Sequence, residues 1–130
     1  MRVYLATTAD ELQEFLAEGS LDVAEVYAPT PIYSATHPEM DEEEVEYSLS
    51  LLAAEDALDF LDDQSGAALV VALEVLEEQL GALDEISAEL RAPLQWSTVE
   101  AIFLVGEDAE DLTWFAPQEA ENNIQEWLKK

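Results

Sequence analysis

The sequence HPEMDEEEVEYSLSLLAAEDALDFLDD, residues 37–63, is the stretch on which the predicted fold depends. Its acidic residues alternate with leucine and alanine at helical spacing. Asp41 is suited to cap the N-terminus of such a helix because its carboxylate can accept hydrogen bonds from free backbone N–H groups. The stretch therefore predicts a long acidic helix in the middle of the chain.

The predicted helix divides its side chains into faces, because successive residues are rotated by about 100°. The solvated side is formed by Glu44, Glu55, Asp59 and Asp62. The apolar side is formed by Leu49, Leu51, Ala53, Ala54, Ala57, Leu58, Phe60 and Leu61. Glu43 and Glu46 project towards the apolar side, in line with Tyr47.

An inward carboxylate must lie near water, be paired, or have a raised pKa. Glu43 and Glu46 have three readings. In the first, both lie in the first turns of the helix beyond the edge of the core, where negative charge interacts favourably with the helix dipole. In the second, Glu46 forms an ion pair with Arg2 or Arg91, the only arginines. In the third, Glu43 and Glu46 belong to an active site.

The rest of the chain predicts strands and two further helices. Strands are expected at residues 2–6, 21–28, 67–75, 86–91, 101–105 and 112–116. Helices are expected at residues 9–19 and 118–130, and residues 32–40 are expected to be a loop. Residues 76–85 are ambiguous, because their leucines have helical spacing but Gly81 weakens a helix. With 49% hydrophobic residues, residues 1–130 form one domain. We expect a two-layer α+β fold: a mixed sheet of about five or six strands with three helices, including the long acidic central helix.

The composition is strongly acidic. Thirty-one acidic residues face four basic ones, for a formal net charge of −27, and Arg91 is the only cation between Val3 and Leu128. This charge repels phosphates and anionic membrane surfaces, so we expect no direct binding of nucleic acid or membranes. It fits solubility in a salty environment, a basic partner protein, or a surface that mimics DNA.

Common catalytic and metal-binding signatures are absent from the sequence. There is no cysteine, and His37 is the sole histidine, so thiolate sites and histidine-rich metal sites are excluded. No motif of the usual nucleotide-binding, zinc-binding or hydrolase type is present. We therefore expect no cofactor and no metal, with His37 exposed in a loop. Because the N-terminus lacks the pattern of a signal peptide, we expect a cytoplasmic protein.

A small-molecule site, if present, would use aromatic and acidic side chains. The ligand-binding candidates are Glu43, Glu46, Tyr47, Trp114 and Gln118. Large aromatic residues are more often part of a core than of a ligand wall. If they do form a site, we expect it where the loop of residues 29–40 covers Trp114 and Gln118.

Four stretches carry a resemblance to a known family. They are RVYLATT followed by a helix, HPEMDEEEVEY, APLQWSTVEAIFLV and LTWFAPQE. Together they resemble a family of small actinobacterial proteins of unknown function. The resemblance implies an α+β cytoplasmic domain and transfers no activity.

Three functions remain open on the sequence. The leading one is a non-enzymatic interaction protein whose acidic surface binds a basic partner. The second is a small enzyme or ligand-binding domain that uses Glu43, Glu46, Tyr47 and His37. The third is a DNA mimic that occupies a nucleic-acid-binding protein.

Overall fold

A computed structural model of the chain describes residues 1–61 and 66–130. The helices in these residues are Ala9–Glu18 (α1), Pro31–Thr36 (α2), Glu42–Phe60 (α3) and Ala120–Leu128 (α4). The strands are Arg2–Thr8 (β1), Ser20–Leu21 (β2), Glu25–Tyr27 (β3), Ala68–Glu74 (β4), Leu80–Leu83 (β5), Ser87–Leu90 (β6), Leu94–Gln95 (β7), Val99–Val105 (β8) and Leu112–Phe115 (β9). Short 3-10 turns cover Glu77–Gln79, Trp96–Thr98 and Pro117–Glu119.

Seven strands form one antiparallel sheet in the order β5-β6-β3-β1-β4-β8-β9, and β2 and β7 pair separately. The centre is the long ladder between β1 and β4, which runs from Arg2 opposite Glu74 to Thr8 opposite Ala68. Six of the seven residues of β4 are buried. This confirms the prediction that its continuous apolar run is a central strand covered on both faces.

Helices cover both faces of the sheet. On one face, α1 and α4 pack large side chains, among them Phe15 and Trp127, against β1, β4 and β8. On the other face, α3 places Ala53, Ala54 and Ala57 against small residues of the same strands. The alternation of side chains along each strand produces these two separate cores.

The predicted α+β class is confirmed, but several details differ. Among residues 1–61 and 66–130, the sheet has seven strands instead of five or six, and its pairs are antiparallel instead of mixed. Helices lie on both faces of the sheet instead of forming one layer. Pairing direction depends on contacts between strands that are distant in sequence, which local patterns do not encode. The expected strand at residues 21–28 is split between β2 and β3, and the ambiguous residues 76–85 contain β5.

The fourth helix, α2, lies where a loop was expected. Pro31 occupies its first turn, where a proline is tolerated because that N–H needs no helical partner. Thr30 is fully buried, accepts a hydrogen bond from the Tyr33 amide at 3.1 Å and donates one to the Glu85 carbonyl at 2.6 Å. The Tyr33 hydroxyl lies 2.6 Å from the Ser48 hydroxyl, which joins α2 to α3.

The predicted cap of the acidic helix is confirmed. The Asp41 carboxylate accepts a hydrogen bond from the Glu44 amide at 2.8 Å, and the Glu44 carboxylate lies 3.5 Å from the Asp41 amide, which is a capping box. The helix ends at Phe60, and the expectation that Asp62 is solvated lies outside the described residues. Within the described ranges, no helix is both long and apolar enough to span a membrane.

Candidate functional site

The side chains of α3 divide much as the sequence predicts. Glu44, Glu55 and Asp59 are exposed. The buried side is formed by Val45, Leu49, Ser50, Ala53, Ala54 and Ala57. Phe60 was expected on the apolar side but is 50% exposed, because it is the last residue of the helix.

An open groove lies between the first half of α3 and the outer strands β8 and β9. We call it the aromatic groove; its volume is about 390 Å³. It is lined by Tyr4, Glu43, Glu46, Tyr47, Ser50, Phe103, Glu110, Leu112 and Trp114. The helix contributes one face to this lining. Glu46, Tyr47 and Ser50 follow Glu43 by three, four and seven residues, which places all four side chains on that face.

The sheet supplies the other wall of the aromatic groove. Phe103 of β8 lies directly opposite Trp114 of β9 in the antiparallel register, so both side chains project from the same face. Trp114 and Tyr47 are each 59% exposed. The structure therefore presents two aromatic rings to solvent, one on each side of the groove.

The aromatic groove is electronegative. It is lined by the carboxylates of Glu43, Glu46 and Glu110, and no Lys, Arg or His is found among its described lining residues. Glu43 and Glu110 are exposed and Glu46 is half-buried. Uncompensated carboxylates of this kind attract cations from solution.

Tyr4 lies under α3 and also lines the aromatic groove. It is 2% exposed, and burial raises the pKa of its phenol to about 12. The positive charge of Arg2 lowers this pKa, but its effect is smaller than that of burial. The guanidinium carbon of Arg2 lies 5.8 Å from the centre of the Tyr4 ring. The phenol therefore remains neutral at physiological pH.

A second cavity adjoins the aromatic groove at Glu46. We call it the acidic cavity; its volume is about 710 Å³. It is lined by Met1, Arg2, Pro29, Ser34, Met40, Asp41, Glu42, Val45, Glu46, Glu74, Glu77 and Glu100. Six of these residues are acidic, and the positive groups are the Met1 amino group and Arg2.

Two ion pairs within 4.0 Å are found among the described residues, both at the acidic cavity. The Met1 amino group lies 2.6 Å from the Glu74 carboxylate, and Arg2 Nε lies 4.0 Å from the Glu100 carboxylate. Arg2 Nε is buried and makes no hydrogen bond. Arg2 and Glu46 share the cavity, but Arg2 is directed to Glu100 on β8, which is separated from β1 by β4. Helical periodicity does not reveal this partner.

The remaining predicted residues lie elsewhere. Gln118 is exposed in the 3-10 turn after β9 and does not line the aromatic groove. Arg91 lies beside Glu89 and Gly81, next to the edge strand β5 and its neighbour β6. Four of the five ligand-binding candidates meet at the aromatic groove, namely Glu43, Glu46, Tyr47 and Trp114.

His37 is part of the end of α2 and not a free loop residue. Its ring stacks on Tyr33 with the ring centres 4.4 Å apart, and its Nδ1 atom lies 3.0 Å from the Tyr33 carbonyl oxygen. Across the described part of the chain, no group of three or more His, Asp or Glu side chains is arranged to hold a metal ion.

Sequence reasoning missed several residues of the site. Phe103 and Leu112 were assigned only to strands, and Glu110 lay between two predicted strands. Their place in the aromatic groove depends on the pairing of β8 with β9, which the sequence does not show. A third groove, of about 350 Å³, contains Tyr27 and Asp56. The Tyr27 hydroxyl donates a hydrogen bond to Asp56, and burial together with this bond raises the pKa of Tyr27.

The chain matches one family model, which is described as a family of unknown function (DUF6912), over residues 1–112. The match includes all lining residues of the acidic cavity and those of the aromatic groove except Trp114. No curated protein and no solved structure matches the chain.

Proposed function

This chain belongs to the DUF6912 family of unknown function, and we propose that it is a non-enzymatic interaction protein whose acidic surface binds a basic partner protein. The sequence resemblance extends this proposal to a cytoplasmic protein of actinobacterial origin.

The composition of the acidic cavity carries the proposal. Six acidic residues and two positive groups meet around one open space, so carboxylates remain without an internal positive partner. Glu42 and Glu77 are exposed there. Lysine and arginine side chains of a second protein would supply the missing charge.

The net charge of −27 supports the same function. A strong field of one sign accelerates the encounter with a partner of opposite sign and suppresses the binding of nucleic acid. Because such attraction between exposed charges is screened by salt, the affinity must fall as ionic strength rises. The proposal thus predicts a partner rich in lysine and arginine and a salt-sensitive complex.

Two double variants of equal charge test the proposal. Glu42→Gln with Glu77→Gln removes two exposed carboxylates from the acidic cavity, whereas Glu121→Gln with Glu126→Gln removes two exposed carboxylates from α4, on the opposite face of the sheet. All versions would be used to capture proteins from lysate at low and high salt, with identification by mass spectrometry, followed by measurement of Kd with the purified partner.

We expect the wild type and the α4 variant to capture a basic protein at low salt and to release it at high salt. The cavity variant should bind the purified partner several-fold more weakly than the α4 variant. Capture that persists at high salt would contradict the proposal, as would equal weakening by the two variants.

A further inference from the structure

The aromatic groove has a composition that the proposed function does not require. We propose that it is an anchor site for one arginine side chain of the basic partner, stacked between Tyr47 and Trp114 and paired with the carboxylates of the groove. This inference rests on the proposed function, since it specifies the chemistry by which the partner is held.

The exposure of two aromatic rings is the first observation. Tyr47 on α3 and Trp114 on β9 face solvent from opposite sides of the groove, with Phe103 beside Trp114 on the neighbouring strand. A contiguous exposed apolar patch with a polar rim is typical of an interaction site. Trp and Tyr are also enriched among the residues that contribute most to interfaces.

Charge complementarity selects the occupant. An apolar side chain inserted here would remove Glu43, Glu46 and Glu110 from water without a partner, which is unfavourable. A cation is attracted both by the faces of the rings and by the carboxylates. A phosphate-bearing ligand or a second copy of this chain would bring more negative charge to the same place.

Arginine fits this arrangement better than lysine. Its planar guanidinium stacks on aromatic rings and donates paired hydrogen bonds to a carboxylate, whereas the lysine ammonium is a strongly hydrated point charge. Glu46 lines both the aromatic groove and the acidic cavity. A basic segment that places its arginine in the groove can therefore extend directly into the cavity.

A peptide series separates the anchor from general charge attraction. The probes are a short lysine-rich peptide with one central arginine, the same peptide with lysine at that position, and the same peptide with citrulline, a neutral side chain of nearly the same shape. Their Kd values would be measured with the full chain as wild type and as the Trp114→Leu, Tyr47→Leu and Phe60→Leu variants.

Phe60→Leu is the matched control, because Phe60 is also an exposed aromatic residue of α3 but does not line the aromatic groove. In the wild type and in this control, we expect the arginine peptide to bind about fivefold more tightly than the lysine peptide, from stacking and paired hydrogen bonds. The citrulline peptide should be the weakest. In Trp114→Leu and Tyr47→Leu, the arginine and lysine peptides should bind equally.

Each contrary result has a distinct meaning. Equal binding of the arginine and lysine peptides to the wild type would refute the anchor while leaving salt-sensitive binding, and so the proposed function, in place. Absence of binding by all the peptides would refute both. Sedimentation showing a dimer that Trp114→Leu dissociates would also overturn the inference, because a second copy would then occupy the groove.

Discussion

The two faces of the sheet are covered by helices in different ways. The face under α1 and α4 is filled by large side chains, with Phe115 packed edge to face on Trp127 at 5.1 Å between ring centres. The face under α3 is filled mainly by alanine and valine, with Ala53, Ala54 and Ala57 fully buried. Both faces exclude water from the same strands, but they use side chains of very different volume.

This difference separates stability from binding. A helix that contacts the sheet through alanines lies close to it and covers a narrow strip, so open grooves remain along its sides. The acidic cavity, the aromatic groove and the third groove, which contains Tyr27 and Asp56, all border α3. The α1 and α4 face buries more apolar surface per side chain and should contribute more to the free energy of unfolding.

The largest expected effect comes from truncating the core of the α1 and α4 face. Trp127→Ala should lower the free energy of unfolding by about 3–5 kcal/mol, because it leaves a large cavity around a side chain that is 1% exposed. Trp114→Ala, the same substitution on the α3 face, should change it by less than about 0.5 kcal/mol. Urea denaturation followed by circular dichroism would measure both. Similar losses for the two variants would contradict the proposed division.

Overpacking the α3 face should have the next largest effect. Ala54→Leu should lower the free energy of unfolding by about 1–3 kcal/mol, because a fully buried alanine has no space for three more carbon atoms. Glu55→Leu adds the same side chain at the next residue, which is exposed, and should leave stability nearly unchanged. If Ala54→Leu were tolerated as well as Glu55→Leu, α3 would not be held close to the sheet.

The sequence predicts the elements of the α3 face better than their arrangement. The helix itself follows from Asp41 as a cap and from the spacing of its apolar residues, and β4 follows from its continuous apolar run. The helix α2 was missed because residues 32–40 were expected to be a loop, although Pro31 suits a first helical turn.

The aromatic groove shows why the rest could not be predicted. Helical spacing places Glu43, Glu46 and Tyr47 together, but the opposite wall depends on the register that sets Phe103 against Trp114. That register and the position of α3 over β1 and β4 are tertiary contacts between residues distant in sequence. For the same reason, the pairing of Arg2 with Glu100 has no signal in the local pattern.

A smaller effect is expected where α3 begins. Asp41→Ala should lower the free energy of unfolding by about 1 kcal/mol, because it removes the acceptor for the Glu44 amide. Asp41→Ser retains an acceptor at the cap and should recover most of the loss. Thermal denaturation of the two variants would show the difference. An equal loss in both would mean that the negative charge of Asp41, and not its hydrogen bond, stabilises the helix.

The smallest effect at neutral pH is expected for Tyr27→Phe, on the other side of α3. Loss of the hydrogen bond to Asp56 should lower the free energy of unfolding by less than about 1 kcal/mol, since water can reach the half-buried carboxylate.

At high pH the difference in stability between the wild type and Tyr27→Phe should shrink. Burial and the bond to Asp56 raise the pKa of Tyr27 above its value of about 10 in the unfolded chain. The folded protein then binds more protons than the unfolded chain, and the stability of the wild type falls as pH rises above about 10. Tyr4 contributes to this fall in both proteins, whereas Tyr27 contributes only in the wild type. Urea denaturation from neutral pH to about pH 11 should therefore show the two stability curves converging, and curves that remain parallel would show that Tyr27 ionises equally easily in both states.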